Sequence, residues 1–243
     1  MKLSQDSIKK LELLLQSAAY VSIDKLIIAK DSIRGIDDKK SVALITNQNV
    51  PDFGDYEVGL NRLPVLADRL GLVKNDENCS VDVVESAQRP GEVQSLTLSS
   101  PTVKVQYRCS SAEAIRGVPK SINDTIFWLV SVDPTKVPTI VQAAGAMAAD
   151  RLIVTGKQDG VYFEFVDSNN DTFSMKISDT AEWVPTDVDQ KPLQFVTSYP
   201  IKSCLPLIRA ASKDGAVQLL FGERGIMSID VNGYTFMVLP TDD

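Results

Sequence analysis

The sequence predicts an α+β fold made of two tandem copies of one β-rich domain. Residues 198–231 read as a short amphipathic helix, a turn, a strand, a Gly-containing turn and a second strand. Residues 58–84 repeat the plan, with Leu63-Pro64 matching Leu205-Pro206 at a separation of 142 residues. That period is too long for a solenoid and suits a duplicated domain. A second pair supports the duplication: Asp24-Lys-Leu-Ile-Ile28 matches Asp150-Arg-Leu-Ile-Val154. Each follows an apolar helix and precedes a turn, placed at Arg34-Gly35 in the first copy and at Asp159-Gly160 in the second. The implied division is a first domain over 1–109, a connector over 110–124 and a second domain over 125–243, and 243 residues suffice for two cores.

Taken in order, the chain opens with a helix over 4–19. Ser4 or Asp6 caps it, and Ile8, Leu11, Leu15 and Ala18 form its apolar stripe. Strands are predicted over 20–30 and 41–46, around a polar turn at 31–40, and a loop follows at 47–56. A second helix starts at Asn61, its candidate cap, and ends near Gly71. Strands at 79–84, 95–99 and 102–109 complete the first copy. The last alternates Val103, Val105 and Tyr107 with Lys104, Gln106 and Arg108. Residues 110–123 keep no period and contain Gly117-Val-Pro119, as a linker does.

The second copy opens with a strand at 125–132. Asp133 caps a helix to about 149, with Val137, Ile140, Val141, Ala144 and Met147 or Ala148 inward and Lys136, Thr139, Gln142 and Ala143 outward. Strands follow at 151–155, 161–166, 172–177 and 191–197, with a loop at 181–189 that carries Trp183. The last helix is read as capped by Ser203, with Pro206 in its first turn and Ile201, Leu205 and Ile208 inward. Strands at 217–221, 226–231 and 234–239 precede an acidic tail at 240–243.

Composition removes several function classes. The chain has no histidine, so Ser-His and Cys-His nucleophile pairs are excluded, together with the commonest metal ligand. Cys79, Cys109 and Cys204 are scattered singly, as reduced core thiols of a cytoplasmic protein would be, and form no zinc cluster. No phosphate-binding glycine motif is present. No catalytic residue, metal or cofactor is expected. The start of the chain is too polar for a signal peptide, and no run is apolar enough to span a membrane.

Charge is unevenly placed. The net charge is −7, yet residues 59–74 and 201–213 together carry +5, from Arg62, Arg69, Lys74, Lys202, Arg209 and Lys213 against Asp68. An acidic body with basic helices accepts a polyanion at one surface. The same placement also suits the helix dipole, which favours cations late in a helix.

Three stretches resemble the DNA polymerase sliding clamps, the family of proliferating cell nuclear antigen and the clamps of tailed phages. Asp150-Arg-Leu-Ile-Val-Thr-Gly-Lys-Gln-Asp-Gly-Val-Tyr-Phe163 is similar to that family's helix-exit strand and the strand after it. Tyr199-Pro-Ile-Lys-Ser-Cys-Leu-Pro-Leu-Ile208 resembles its last inner helix, and Tyr234-Thr-Phe-Met-Val-Leu-Pro240 its closing strand. The start Met1-Lys-Leu-Ser4 and the helix after it are nearer to the phage clamps.

The resemblance implies a homotrimeric ring with sheets outside and two helices per domain on the inner face. Duplex DNA would pass through it without being read. On this sequence the inner helices are 5–19, 61–71, 134–149 and 203–213, and the DNA-facing residues are Lys9, Lys10, Arg62, Arg69, Lys74, Lys136, Lys202, Arg209 and Lys213. Subunits would join head to tail through edge strands, carrying Val103, Val105 and Tyr107 on one side and Phe173, Met175 and Ile177 on the other. Partner peptides would meet Ile45, Val118, Ile126, Tyr234, Leu239 and Pro240, positions that suit plain core equally well. The further partners implied are a DNA polymerase and an ATP-dependent clamp loader, in the host cytoplasm if the chain is phage-encoded. Two other classes stay open: a structural or virion-type assembly protein of duplicated β-rich domains, and a carboxylate enzyme for which no acid pair stands out.

Overall fold

The computed structural model describes residues 1–76, 78–185, 189 and 192–241. The chain forms two compact units, one of residues 1–38, 43–121 and 232–234, the other of 39–42, 122–231 and 235–243. Among the described residues no helix is long and apolar enough to cross a membrane.

The first unit starts with α1 (Gln5–Ala19), capped by Ser4, whose hydroxyl accepts the Ser7 amide at 3.1 Å. Leu11, Leu14 and Ala18 are wholly buried on its inner face. Strands β1 (Lys25–Ala29), β2 (Ser32–Ile36), β3 (Val42–Thr46) and β4 (Val58–Asn61) follow, in the sheet order β3-β2-β1-β4. Helix α2 (Leu63–Gly71) packs beside α1. Strands β5 (Ser80–Glu85), β6 (Val93–Ser99) and β7 (Lys104–Arg108) then form a second sheet in sequence order. Residues 1–3 cover the β5 edge, where the Leu3 amide donates to the Val81 carbonyl and the Val83 amide to the Met1 carbonyl.

The second unit repeats this plan. Strand β8 (Ile126–Val132) leads through a 3-10 turn (Pro134–Lys136) into α3 (Val137–Ala146). Strands β9 (Arg151–Lys157), β10 (Gly160–Val166), β11 (Thr172–Ser178), β12 (Glu182–Trp183) and β13 (Phe195–Pro200) precede α4 (Ile201–Ala211). Strands β14 (Val217–Gly222), β15 (Met227–Val231) and β16 (Tyr234–Val238) close the chain. One sheet orders β11-β10-β9-β13, the other β12-β8-β14-β15-β16. The correspondence runs element by element. In each unit the strand after the first helix pairs both with the next strand and with the strand that feeds the second helix: β1 with β2 and β4, β9 with β10 and β13.

Several sequence expectations are corrected. Arg34-Gly35 lies inside β2, not in a turn; the turn falls at residues 30–31, and β2 occupies much of the stretch read as polar loop. Strands β4 and β12 were not expected at all; β12 was read as loop. Asn61 does not cap α2, and its side-chain oxygen is buried without a partner. The N-cap is Arg62, in the left-handed region at φ 59° and ψ 52°, with Pro64 in the first turn. The last helix begins at Ile201 and not Ser203, so Pro206 lies inside it. The two Leu-Pro pairs are therefore not equivalent positions. The buried face of α4 runs through Ile201, Cys204, Leu207 and Ile208, with Leu205 only half-buried. Ala143 points inward, while Val141 is half-buried. The expected strand at 191–197 is displaced to β13; its first residue, most of the 186–189 part of the expected loop and the last two residues of the acidic tail lie outside the described residues.

Candidate nucleic-acid and subunit-contact surfaces

The exposed helix faces differ in chemistry. On α4, Lys202 and Arg209 are exposed and seven residues apart, which puts them on one face two turns from each other. Lys213 is exposed just beyond the helix end. On α1 the exposed face carries Lys9 with Gln5, Leu13 and Gln16, while the Lys10 ammonium is 2.8 Å from the Asp6 carboxylate. Lys74, past the end of α2, is ion-paired with Glu12. The exposed face of α3 is Pro138, Thr139, Gln142, Gly145 and Ala146, with no charge.

Two of the predicted phosphate contacts are engaged elsewhere. The Arg69 guanidinium donates to the Gln106 carbonyl on β7 at 2.8 Å. The Lys136 ammonium donates to the carbonyls of Lys176 and Ile177 on β11, each at 3.1 Å. Both strands are sheet edges, since β7 pairs only with β6 and β11 only with β10. Each predicted contact strand thus exposes a backbone edge, and each edge has one basic side chain on its carbonyls. Val103, just ahead of β7, and Val105 on it are half-buried, and Tyr107 is fully buried. On β11, Phe173 and Met175 are half-buried and Ile177 is buried.

Arg62 and Arg69 lie on one face of α2, with their guanidinium carbons 5.8 and 6.0 Å from the Tyr107 ring centre. They line a cleft of about 430 Å³ together with Val84, Gln94, Ser95, Gln106 and Arg108. Arg108 was absent from the sequence-derived site. Its signal was there, in a strand that alternates Lys104, Gln106 and Arg108 outward. What the pattern lacked was the knowledge that β7 is an edge beside α2. Tyr107 donates its hydroxyl to the Asn61 carbonyl, and burial pushes its phenol up to about 12.

The expected partner-peptide positions have different settings. Val118 packs on a small cluster of Ile27, Ala112 and Ile115. Tyr234 is fully buried and donates to the Lys10 carbonyl at 2.8 Å, which makes it core. Ile45, Ile126, Leu239 and Pro240 are half-buried. Among the described residues no group of three or more acidic or cysteine side chains is placed to hold a metal.

No protein-family model matches the chain, and no curated protein matches it in sequence. Solved structures do match. The proliferating cellular nuclear antigen of Entamoeba histolytica superposes with a TM-score of 0.67 at 12% identity, over 99% of this chain and 98% of that one. The A. fulgidus PCNA with the C-terminal region of FEN-1 bound gives 0.64 at 11%, over 100% and 98%. The PCNA2–PCNA3 complex of Sulfolobus tokodaii gives 0.59 at 14%, over 98% of each chain. The chain shares the fold of these DNA sliding clamps.

Proposed function

We propose that this sliding-clamp fold serves as a non-enzymatic processivity factor, which encircles duplex DNA and tethers a polymerase to its template. The observation that carries the reading is the pair of open edges. Strand β7 in the first unit and β11 in the second are each a sheet edge, with hydrogen-bonding groups that a second copy can use. Chains joined β7 to β11 repeat head to tail, and such an interface makes a closed ring when its rotation closes. The expected ring is a homotrimer. Lys202, Arg209, Lys213 and Lys9 then meet phosphates, giving contacts that hold DNA without reading its sequence. Of the other predicted contacts, Arg62, Arg69 and Lys136 are placed at strand edges, and Lys10 and Lys74 are ion-paired.

An ATP-dependent loader would open and place the ring, and partner peptides would dock over half-buried apolar positions such as Leu239 and Pro240. The A. fulgidus clamp with a bound FEN-1 segment supports this kind of docking. The test is solution mass by light scattering over a range of concentrations, followed by polymerase stimulation on primed circular DNA at increasing salt. The expected result is a mass near three chains that falls on dilution, with stimulation lost as salt rises. A chain that stays single and stimulates no polymerase overturns the reading and favours the structural-protein alternative.

A further inference from the structure

Arg62, Arg69 and Arg108 line one cleft of the first unit, and no carboxylate lines it. Among the described residues none of the three is ion-paired. Glu85, which follows the lining residue Val84, has other partners: it accepts the Tyr56 hydroxyl at 3.3 Å and the Gly91 amide at 3.0 Å. Two contacts hold the guanidinium groups in place without neutralising them. Arg62 and Arg69 both stand against the Tyr107 ring. Arg69 uses one N–H on the Gln106 carbonyl and keeps its remaining donors, since a guanidinium has five.

The wall of the cleft adds a neutral donor. Ser95 lines it and is only 2% exposed. Its hydroxyl accepts from the Gln106 side-chain amide at 2.9 Å, and among the described residues it donates to nothing. A buried hydroxyl with an unused proton calls for an acceptor, and the cleft is where Ser95 can meet one.

These donors select a ligand by charge and size. A guanidinium fork matches phosphate oxygens and keeps its charge at any working pH. Three of them without a counter-charge suit a small anion that carries several charges. A recess of about 430 Å³ is of the size that takes such a group whole. Duplex DNA spreads its charge along a strand, so a recess meets little of it, whereas the exposed face of α4 with Lys202 and Arg209 is open to a long polyanion.

We infer that the arginine cleft binds a compact phosphoanhydride, inorganic pyrophosphate or the polyphosphate of a nucleotide, with Arg62, Arg69 and Arg108 on its oxygens and the Ser95 hydroxyl donating to it. The site lies within the first unit and stands without the clamp reading. Its place at the β7 edge sets the anion against the second copy which that reading puts there. The test is therefore run on dilute chains, and its failure leaves the clamp reading untouched.

The test is isothermal titration calorimetry with inorganic pyrophosphate at constant ionic strength, without divalent cations and with sulfate as the control anion. One pyrophosphate should bind per chain, about tenfold or more tighter than sulfate. Arg108→Gln should weaken it about tenfold or more, as the loss of a charge-assisted contact does, and Ser95→Ala by about threefold, as the loss of a neutral one does. Circular dichroism reports the fold of both variants. A duplex oligonucleotide at equal phosphate concentration should displace little of the pyrophosphate. Equal binding of pyrophosphate and sulfate, or wild-type affinity in both variants, overturns the site. Displacement by the duplex at equal phosphate overturns the compact anion and gives the cleft to a nucleic-acid backbone.

Discussion

The Lys136 ammonium sits 3.1 Å from the Ile177 carbonyl, and at the same distance from that of Lys176, so a cation at the entry to α3 is bound to the edge of β11. Two of its three N–H donors are used within the unit, and the exposed face of α3 has no other charge. Lys136→Met should therefore lower stability in urea by about 1 kcal/mol, the usual net value of such bonds, and leave DNA binding close to wild type. Unaltered stability with impaired DNA binding would return Lys136 to the phosphate contacts.

Lys202 and Arg209 have the opposite setting, since both are exposed on one face of α4. If each neutralises one phosphate, replacing both by Gln removes two released counterions. The slope of log affinity against log salt should then become shallower by about 2, with the thermal midpoint nearly unchanged. An unchanged slope would show that α4 does not face DNA.

The duplication was legible because the Asp24 and Asp150 matches fall just before β1 and β9, strands whose apolar runs have to persist to fill a core. Helix α1 was read nearly in full because Ser4, one of the two cap residues the sequence offers beside Asp6, is a cap of ordinary chemistry. The failures share one cause. Asn61 is a good cap residue by type, but Arg62 takes the cap position in a left-handed turn, which no propensity favours. Pro206 reads as a first-turn residue, yet tertiary burial of Ile201 and Cys204 extends α4 ahead of it. In the candidate site, charge on a helix was visible, but the neighbour each cation would meet was not. Arg69 on Gln106 and Lys136 on Ile177 depend on which strands become edges, a long-range property that spacing does not encode.

Gly59 fixes the exit of β7. The Ser110 amide donates to the Gly59 carbonyl at 2.9 Å, and a Cβ added at Gly59 would stand 2.4 Å from the Ser110 carbonyl oxygen. The nearest atoms to that position are all backbone, of Ser110 and Ser111, so that segment cannot yield without losing the bridge. Gly59→Ala should destabilise the protein by about 1–3 kcal/mol, as overpacking does, and should raise the hydrogen-exchange rate of the Ser110 amide ahead of the remaining β7 amides. A variant with wild-type stability and an unperturbed Ser110 amide would show that β4 and residue 110 separate freely.

Alkaline pH should unfold the chain through its buried acids. Burial pushes the Cys109 and Cys204 thiols and the Tyr107 and Tyr234 phenols up to about 12, and raises the Tyr199 phenol further. Tyr199 also donates to the Gly225 carbonyl at 2.7 Å, a bond that its phenolate cannot make. In the unfolded chain these groups ionise near their ordinary values of 9.0 for a thiol and 10.0 for a phenol. The folded state binds the protons more tightly, so this contribution to stability is complete below pH 9. It falls as the unfolded chain begins to ionise and is lost as pH passes the raised values near 12. Phenolate absorbance from Tyr107, Tyr199 and Tyr234 should therefore rise together with the loss of far-ultraviolet circular dichroism, above the pH at which exposed phenols ionise. Removing one buried phenol by Tyr199→Phe should lower stability at neutral pH, because the Gly225 carbonyl loses its donor. It should also reduce the steepness of the alkaline transition, because one fewer proton is released on unfolding. Six tyrosines titrating together near pH 10 with the circular dichroism intact would show that the three phenols are open to solvent, against their complete burial in the folded units.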